Sequence, residues 1–301
     1  MDRPDRRSDL LGAALSTLRS VGAVTPRVGI ILGSGLGTLA DEIRDPIRVD
    51  FGDLPGFGLS TATGHRGQCV VGRLDDIPVI ALSGRLHRYE GYPDDQITFP
   101  VRVMAAWGVR RLIVSNAAGG LNPLLRVGDL VVIRDHIDLG KRRQPRQPDL
   151  WARSSTPGTA AASECDRIGE TLRGFPSPAE VYDTGLAEVA LGAARNGDFR
   201  AWPGIYLSTL GPTYETRAEY RMMRRLGADV VGMSTAPEAM TAANLGMKVL
   251  GVSVVSNVAI PERGWSEPLQ PTLHQDVLDI GRGAAEKLRQ IVFAVLRQEI
   301  V

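Results

Sequence analysis

Apolar residues recur along this chain in short runs that end in glycine or a polar group, and the stretches between them carry the spacing of amphipathic helices. Residues 28–32, 68–72, 77–82, 111–115, 130–133, 204–210, 229–235 and 249–257 read as strands, several of them apolar enough to be buried on both faces. Residues 10–21, 100–107, 187–196, 217–226 and 239–245 read as helices, and a long last helix runs to Leu296. Local punctuation agrees. Pro100 is tolerated in a first helical turn, Gly227 stops the 217–226 helix, and Thr272 with Gln275 forms a capping box that puts His274 in the first turn of the last helix. Residues 141–170 break the pattern: rich in Arg, Gln, Pro, Ser and Ala and without periodicity, they read as a long loop. Strands otherwise alternate with helices, which predicts an α/β fold of one domain over residues 1–301, with helices on both faces of one twisted sheet.

Polar groups gather where the predicted strands end, the edge at which α/β sheets hold ligands. The densest cluster follows the 77–82 run. Gly84 permits a turn, and Arg85, His87 and Tyr89 then alternate in an extended segment, so they share a side. An Arg fork beside a His suits an oxyanion and a flanking aromatic suits a sugar face, although a solvated basic turn has the same composition. Gly33-Ser34-Gly35-Leu36-Gly37 offers backbone N–H groups and a hydroxyl to an anion, or is simply a tight turn; it is neither a dinucleotide fingerprint nor a P-loop. His65, on a loop between strands, matters only if it joins the Arg85 cluster. The small residues from Asn116 to Gly120 either let a flat ligand lie on the backbone or make a compact strand-to-loop turn. Glu215 at a helix start either complements the helix dipole or accepts from ring N–H donors, and His274 is either an exposed cap residue or a ligand group.

Composition narrows the partner. With 301 residues, 43% of them hydrophobic and 23% charged, the chain can bury a large core. A formal net charge of +1 gives no reason to expect nucleic acid or a membrane. Cys69 and Cys165 form neither a disulfide framework nor a metal-ligand spacing. No apolar stretch approaches the ~20 residues of a membrane span, and the charged first seven residues are unlike a signal peptide. A cytoplasmic protein acting on small molecules is expected.

Taken in order, Gly33-Ser34-Gly35-Leu36-Gly37, Gly64-His65-Arg66-Gly67, Gly84-Arg85-Leu86-His87-Arg88-Tyr89-Glu90-Gly91, Asn116-Ala117-Ala118-Gly119-Gly120, Gly211-Pro212-Thr213-Tyr214-Glu215-Thr216 and Gly232-Met233-Ser234-Thr235 resemble the homotrimeric, 6-oxopurine-type branch of the nucleoside phosphorylase family. The resemblance implies a central mixed sheet and phosphorolysis of inosine, guanosine and their 2′-deoxy forms to free purine and (deoxy)ribose 1-phosphate, in purine salvage. Inorganic phosphate is then a co-substrate, with no cofactor and no metal. By the same resemblance Ser34, His65, Arg85, His87, the Ala117 N–H and Ser234 would hold phosphate. Tyr89, Met233, His274 and Phe175 would hold ribose, Phe175 by crossing to a neighbouring subunit of a homotrimer. Ala118, Gly119, Tyr214, Val231 and Gly232 would form the purine slot, read by Glu215 and Asn257; His87, Glu215 and Asn257 would be the catalytic groups. Asn257 with Glu215 ranks 6-aminopurine or methylthioadenosine specificity second, and the intact Arg85, His87 and Ser234 rank a non-catalytic purine or nucleoside sensor third. Three features depart from the family pattern: Asp138 where an Asn is usual, Ser256 where a Thr is expected, and the 141–170 segment.

Overall fold

The computed structural model describes residues 6–22, 24–62, 64–140, 180–259 and 274–298; the predicted loop at 141–170 and Phe175 lie outside them. The strands are β1 (Val28–Leu32), β2 (Arg44–Asp50), β3 (Gln68–Leu74), β4 (Ile77–Ser83), β5 (Arg111–Gly120), β6 (Leu130–Asp138), β7 (Ala201–Ser208), β8 (Val230–Gly232) and β9 (Lys248–Val258). They form one nine-stranded mixed sheet in the order β2-β3-β4-β1-β5-β8-β7-β6-β9. β9 also pairs with β5, so β5, β8, β7, β6 and β9 close into a ring, and β1, β4, β3 and β2 extend from it as an open wing.

Successive strand residues point to opposite faces. Ile31 therefore joins one core with the helices Arg6–Ser20, Phe99–Trp107 and Ala236–Asn244, while Val28, Ile30 and Leu32 join another with Thr184–Asn196 and the final helix His274–Arg297. Helices thus cover both faces, as the alternation predicts. Among the described residues no helix is long and apolar enough to cross a membrane.

Two readings of the sequence are corrected. β2 has no counterpart among the predicted strands; it is an edge strand with only Val49 buried, and so lacks the apolar run that marks the others. Residues 116–120 are the second half of β5 and not a strand-to-loop turn. Small residues hide a strand from a search for apolar runs, and here β9 supplies the pairing along the whole length of β5, from Arg111↔Lys248 to Gly120↔Val258.

The other edge of β5 positions the site. It pairs with β1 over Arg111–Val114 and with β8 only at Gly119 and Gly120. Between them, residues 115–118 have no strand neighbour on that edge among the described residues, because the pairing with β1 stops at Val114 and that with β8 starts at Gly119. A gap of this kind at strand ends is where a ligand can approach backbone.

Candidate active site

A cleft opens at that gap, walled by Gly33 and Ser34 from the end of β1, Asn116 to Gly119 from β5, and Val231 to Ser234 from the end of β8. Gly84 directs the next wall. Its φ is 115°, and a Cβ there would lie 2.7 Å from the Cβ of His65, so only glycine lets the two loops close on each other.

The guanidinium of Arg85 fills the floor of the gap. Nη2 donates to the carbonyls of Ile31 at 3.3 Å and Ser115 at 2.5 Å, the groups freed where β1 and β5 part. Nη1 faces Ser234 Oγ at 3.1 Å, Thr235 Oγ1 at 3.0 Å and Glu238 Oε2 at 3.1 Å. Arg85 and Glu238 are 2% and 3% exposed, so this is a buried ion pair. Burial pushes the Glu238 carboxyl up, against the pull of Arg85 and His87. The fork expected to face an oxyanion is therefore turned onto the protein. Among the described residues the buried Nε–H of Arg85 has no partner.

Thr235 links this floor to the helix Ala236–Asn244. Its φ is 70° and ψ −51°, and the Ala236 N–H donates to the Ser234 carbonyl at 2.7 Å. This is a γ-turn with positive φ, a strained conformation for a β-branched residue. The turn aims Thr235 Oγ1 at Arg85 and at Asn116 Nδ2, which donates to it at 2.9 Å. The Ser234 N–H donates to the hydroxyl of Tyr206, a fully buried side chain.

Above the floor three rings stack. His65 and His87 lie 5.2 Å apart at 24°, and His87 and Tyr89 lie 4.8 Å apart at 14°. Arg88–Glu90 is a single 3-10 turn, so Tyr89 reaches the same side as His87 by stacking and not by strand alternation. Glu90 Oε1 accepts from the His87 N–H and ring Nδ1, both at 2.8 Å; its Oε2 accepts from Thr61 N–H at 2.7 Å and Oγ1 at 2.6 Å. Burial pushes this carboxyl up, but the bonds from His87 and Thr61 together outweigh it and hold it at about 2. Glu90 is thus ionised and holds the His87 ring by its Nδ1 edge, which leaves Nε2 as the nitrogen free of that bond. His65 is pushed down to about 3 by burial and by its neighbours His87 and Arg85, so it is a neutral ring. Its Nε2 lies 3.3 Å from Ser34 Oγ.

The opposite end of the cleft is lined by Glu215, Asn257 and the backbone of Gly119. Glu215 Oε1 accepts from Thr209 Oγ1 at 3.1 Å, and burial raises the Glu215 carboxyl. Ser256 Oγ donates to Asn257 Oδ1 at 3.0 Å, which leaves the Asn257 amide N–H groups as donors; the Ala118 carbonyl lies 3.2 Å from the same hydroxyl. Ser256 thereby keeps the orienting role that a hydroxyl at this position can supply. A Cβ on Gly119 would approach Val231 Cγ1 to 3.3 Å and Asn257 Nδ2 to 3.5 Å, so its bare backbone leaves space beside the amide.

Ala117, Ala118, Tyr214, Val231, Gly232 and Met233 complete the walls, so the cleft gathers every site residue named from the sequence except two. Phe175 and the side chain of His274 lie outside the described residues, although the final helix does begin at His274 and its first turn reaches the cleft through Val277. Tyr220 lines the cleft and is missed by the sequence reading. It sits on the first turn of the helix Arg217–Arg225, one turn beyond Glu215, to which it hydrogen-bonds; burial and that carboxylate push its phenol to about 12. A tyrosine in the first turn of the helix that follows Glu215 is the signal that could have found it.

Comparison with known proteins agrees with this architecture. Residues 27–297 match the Phosphorylase superfamily. Purine nucleoside phosphorylase 1 of Bacillus subtilis is 41% identical over 277 residues, covering 91% of this chain and 93% of that protein. Crystal structures of Schistosoma mansoni purine nucleoside phosphorylase superpose with TM-scores of 0.78 for the adenosine complex and 0.77 for the inosine complex. The sequence identities are 34% and 33%; the first covers 97% of both chains, the second 95% of this chain and 94% of the other. The chain belongs to the phosphorylase superfamily. Within it, this is an enzyme of the purine nucleoside phosphorylase type.

Proposed function

We propose that the chain catalyses phosphorolysis of 6-oxopurine nucleosides, inosine, guanosine and their 2′-deoxy forms, with orthophosphate as co-substrate. The observation that carries this reading is one cleft lined by Ser34, His87, Ser234 and the cation Arg85 and, at its other end, by Glu215 and Asn257, which can accept from and donate to a purine edge. A phosphate oxygen attacks C1′ as the bond from C1′ to N9 breaks, and the electron pair leaves with the purine. Holding both reactants in one cleft removes much of the entropic barrier. Charge grows on the imidazole half of the departing base, where the Asn257 N–H groups can donate to N7, so that bond strengthens towards the transition state. Glu215, where ionised, accepts from N1–H of a 6-oxopurine; adenine has no proton there. His87, its Nδ1 tied to Glu90, can meet phosphate through Nε2. The reading includes Phe175 and His274 at the sugar, a homotrimer that completes the site, a role in purine salvage, and a cytoplasmic location.

A second reading, use of 6-aminopurine nucleosides, has one observation in its favour: burial raises the Glu215 carboxyl, and a protonated Glu215 could donate to N1 of adenine. The Schistosoma mansoni protein is described in complex with adenosine as well as inosine. The deciding experiment is base release from inosine, adenosine and methylthioadenosine, each with and without phosphate. Phosphate-dependent release from inosine alone supports the first reading. Release from the adenine nucleosides supports the second. Phosphate-dependent nucleoside binding without turnover would mean a sensor.

A further inference from the structure

We propose that Arg88 is a positioning residue: clamped between Asp94 and Asp138, it sets the turn that presents His87 and Tyr89 to the cleft. What those two side chains touch rests on the phosphorolysis reading; the clamp itself rests on geometry. Arg88 Nε and Nη2 donate to the two oxygens of Asp94 at 2.7 and 3.0 Å. Nη1 and Nη2 donate to the two oxygens of Asp138 at 2.7 and 3.1 Å. The Arg88 side chain is 9% exposed and that of Asp138 4%. One planar fork therefore satisfies two carboxylates, each through both oxygens, in a largely buried setting where such bonds are strong.

The three residues come from separate parts of the fold. Arg88 begins the 3-10 turn between His87 and Glu90, Asp94 opens the short helix Asp94–Ile97, and Asp138 is the last residue of β6. β4, which leads into the turn, belongs to the wing, and β6 belongs to the ring, with β1, β5, β8 and β7 between them in the sheet. Arg88 thus ties wing to ring. Gly140 packs on it so closely that a Cβ would fall 2.5 Å from Nη1. The clamp also accounts for Asp138 in a place where the resembled pattern has Asn. An Asn there would keep one acceptor and turn its own N–H groups towards Nη2.

The test uses the full chain and the substitutions Arg88→Met, Asp138→Asn, the pair together, Arg88→Lys, and Arg44→Met as a control that breaks the exposed Arg44–Asp76 pair. Arg88→Met is expected to raise KM for both inosine and phosphate by about tenfold while kcat stays within about threefold, because both ligands depend on one turn. Asp138→Asn should act the same way more weakly, and the double variant should be no worse than Arg88→Met. Arg88→Lys should not restore either KM, since a point charge cannot bridge two carboxylates. Independently of turnover, the His87 ring signal, assigned by His87→Gln among the four histidines of the chain, should move in the proton NMR spectrum of Arg88→Met and Asp138→Asn and stay put in Arg44→Met. Wild-type KM values with an unmoved His87 signal would overturn the proposal, leaving a brace that affects melting temperature alone. If Arg88→Met fails to fold, Asp138→Asn decides. If the wild type does not phosphorolyse inosine, the functional reading fails while the His87 signal still judges the clamp.

Discussion

Glu90 and His65 show how single residues set the working state of the site. Each has a folded-state pKa below its ordinary value, so the unfolded chain takes up protons that the folded one refuses, and stability rises with pH across the interval. For His65 the interval runs from 6.5 down to about 3: its contribution is whole above 6.5 and lost as pH falls towards 3. For Glu90 it runs from 4.5 to about 2. Urea midpoints should therefore begin to fall below pH 6.5 and fall more steeply below 4.5. His65→Gln should flatten the upper part alone; an unchanged slope between pH 6.5 and 4.5 would remove His65 from the account. At the other end of the cleft, Asn257→Ala should lower kcat for inosine by about 10²- to 10³-fold, the usual cost of losing one donor to developing charge, with little change in KM for phosphate. Steady-state kinetics at saturating phosphate measure it.

At the scale of elements, β5 does two jobs because its outer edge changes partner from β1 to β8 and leaves four residues uncovered. The γ-turn at Thr235 belongs to the same design: a strained residue is held where its hydroxyl can hold Arg85 and Asn116. Thr235→Ser keeps the hydroxyl and should leave phosphate KM within about twofold, whereas Thr235→Ala should raise it about tenfold. Equal phosphate KM values in the two variants would show that the hydroxyl is idle. The final helix seals one core through Leu288, Ile291, Val292 and Val295, all 1% exposed or less. Ile291→Ala should cost about 2–5 kcal/mol, read from urea unfolding. Most elements were legible because their apolar periodicity is strong. β2 and the second half of β5 were not, since one is polar and edge-exposed and the other is made of small residues.

At the scale of the whole molecule, the cleft draws on residues from Gly33 to Val277, so a ligand that fills it braces most of the fold. Phosphate and hypoxanthine, each added alone at about 100 times its own Kd, should each stabilise the folded state by about 2.7 kcal/mol. A melting temperature unmoved by both would argue against a preformed site. The sequence by itself determined the α/β class, the positions of most strands and helices, and the identity of nearly all the residues that line the cleft. The elements could be read because burial imposes a period on apolar residues, and the cleft residues because their motifs resemble those of the nucleoside phosphorylase family. Only the tertiary structure decided that the sheet closes into a ring, that Arg85 turns its fork inward onto Glu238, that Tyr220 joins the wall beside Glu215, and that Arg88 bridges Asp94 and Asp138. The ring closure, the Arg85–Glu238 pair and the Arg88–Asp138 pair depend on contacts between residues far apart in the chain, and no local period or propensity encodes which distant partner a buried charge will find.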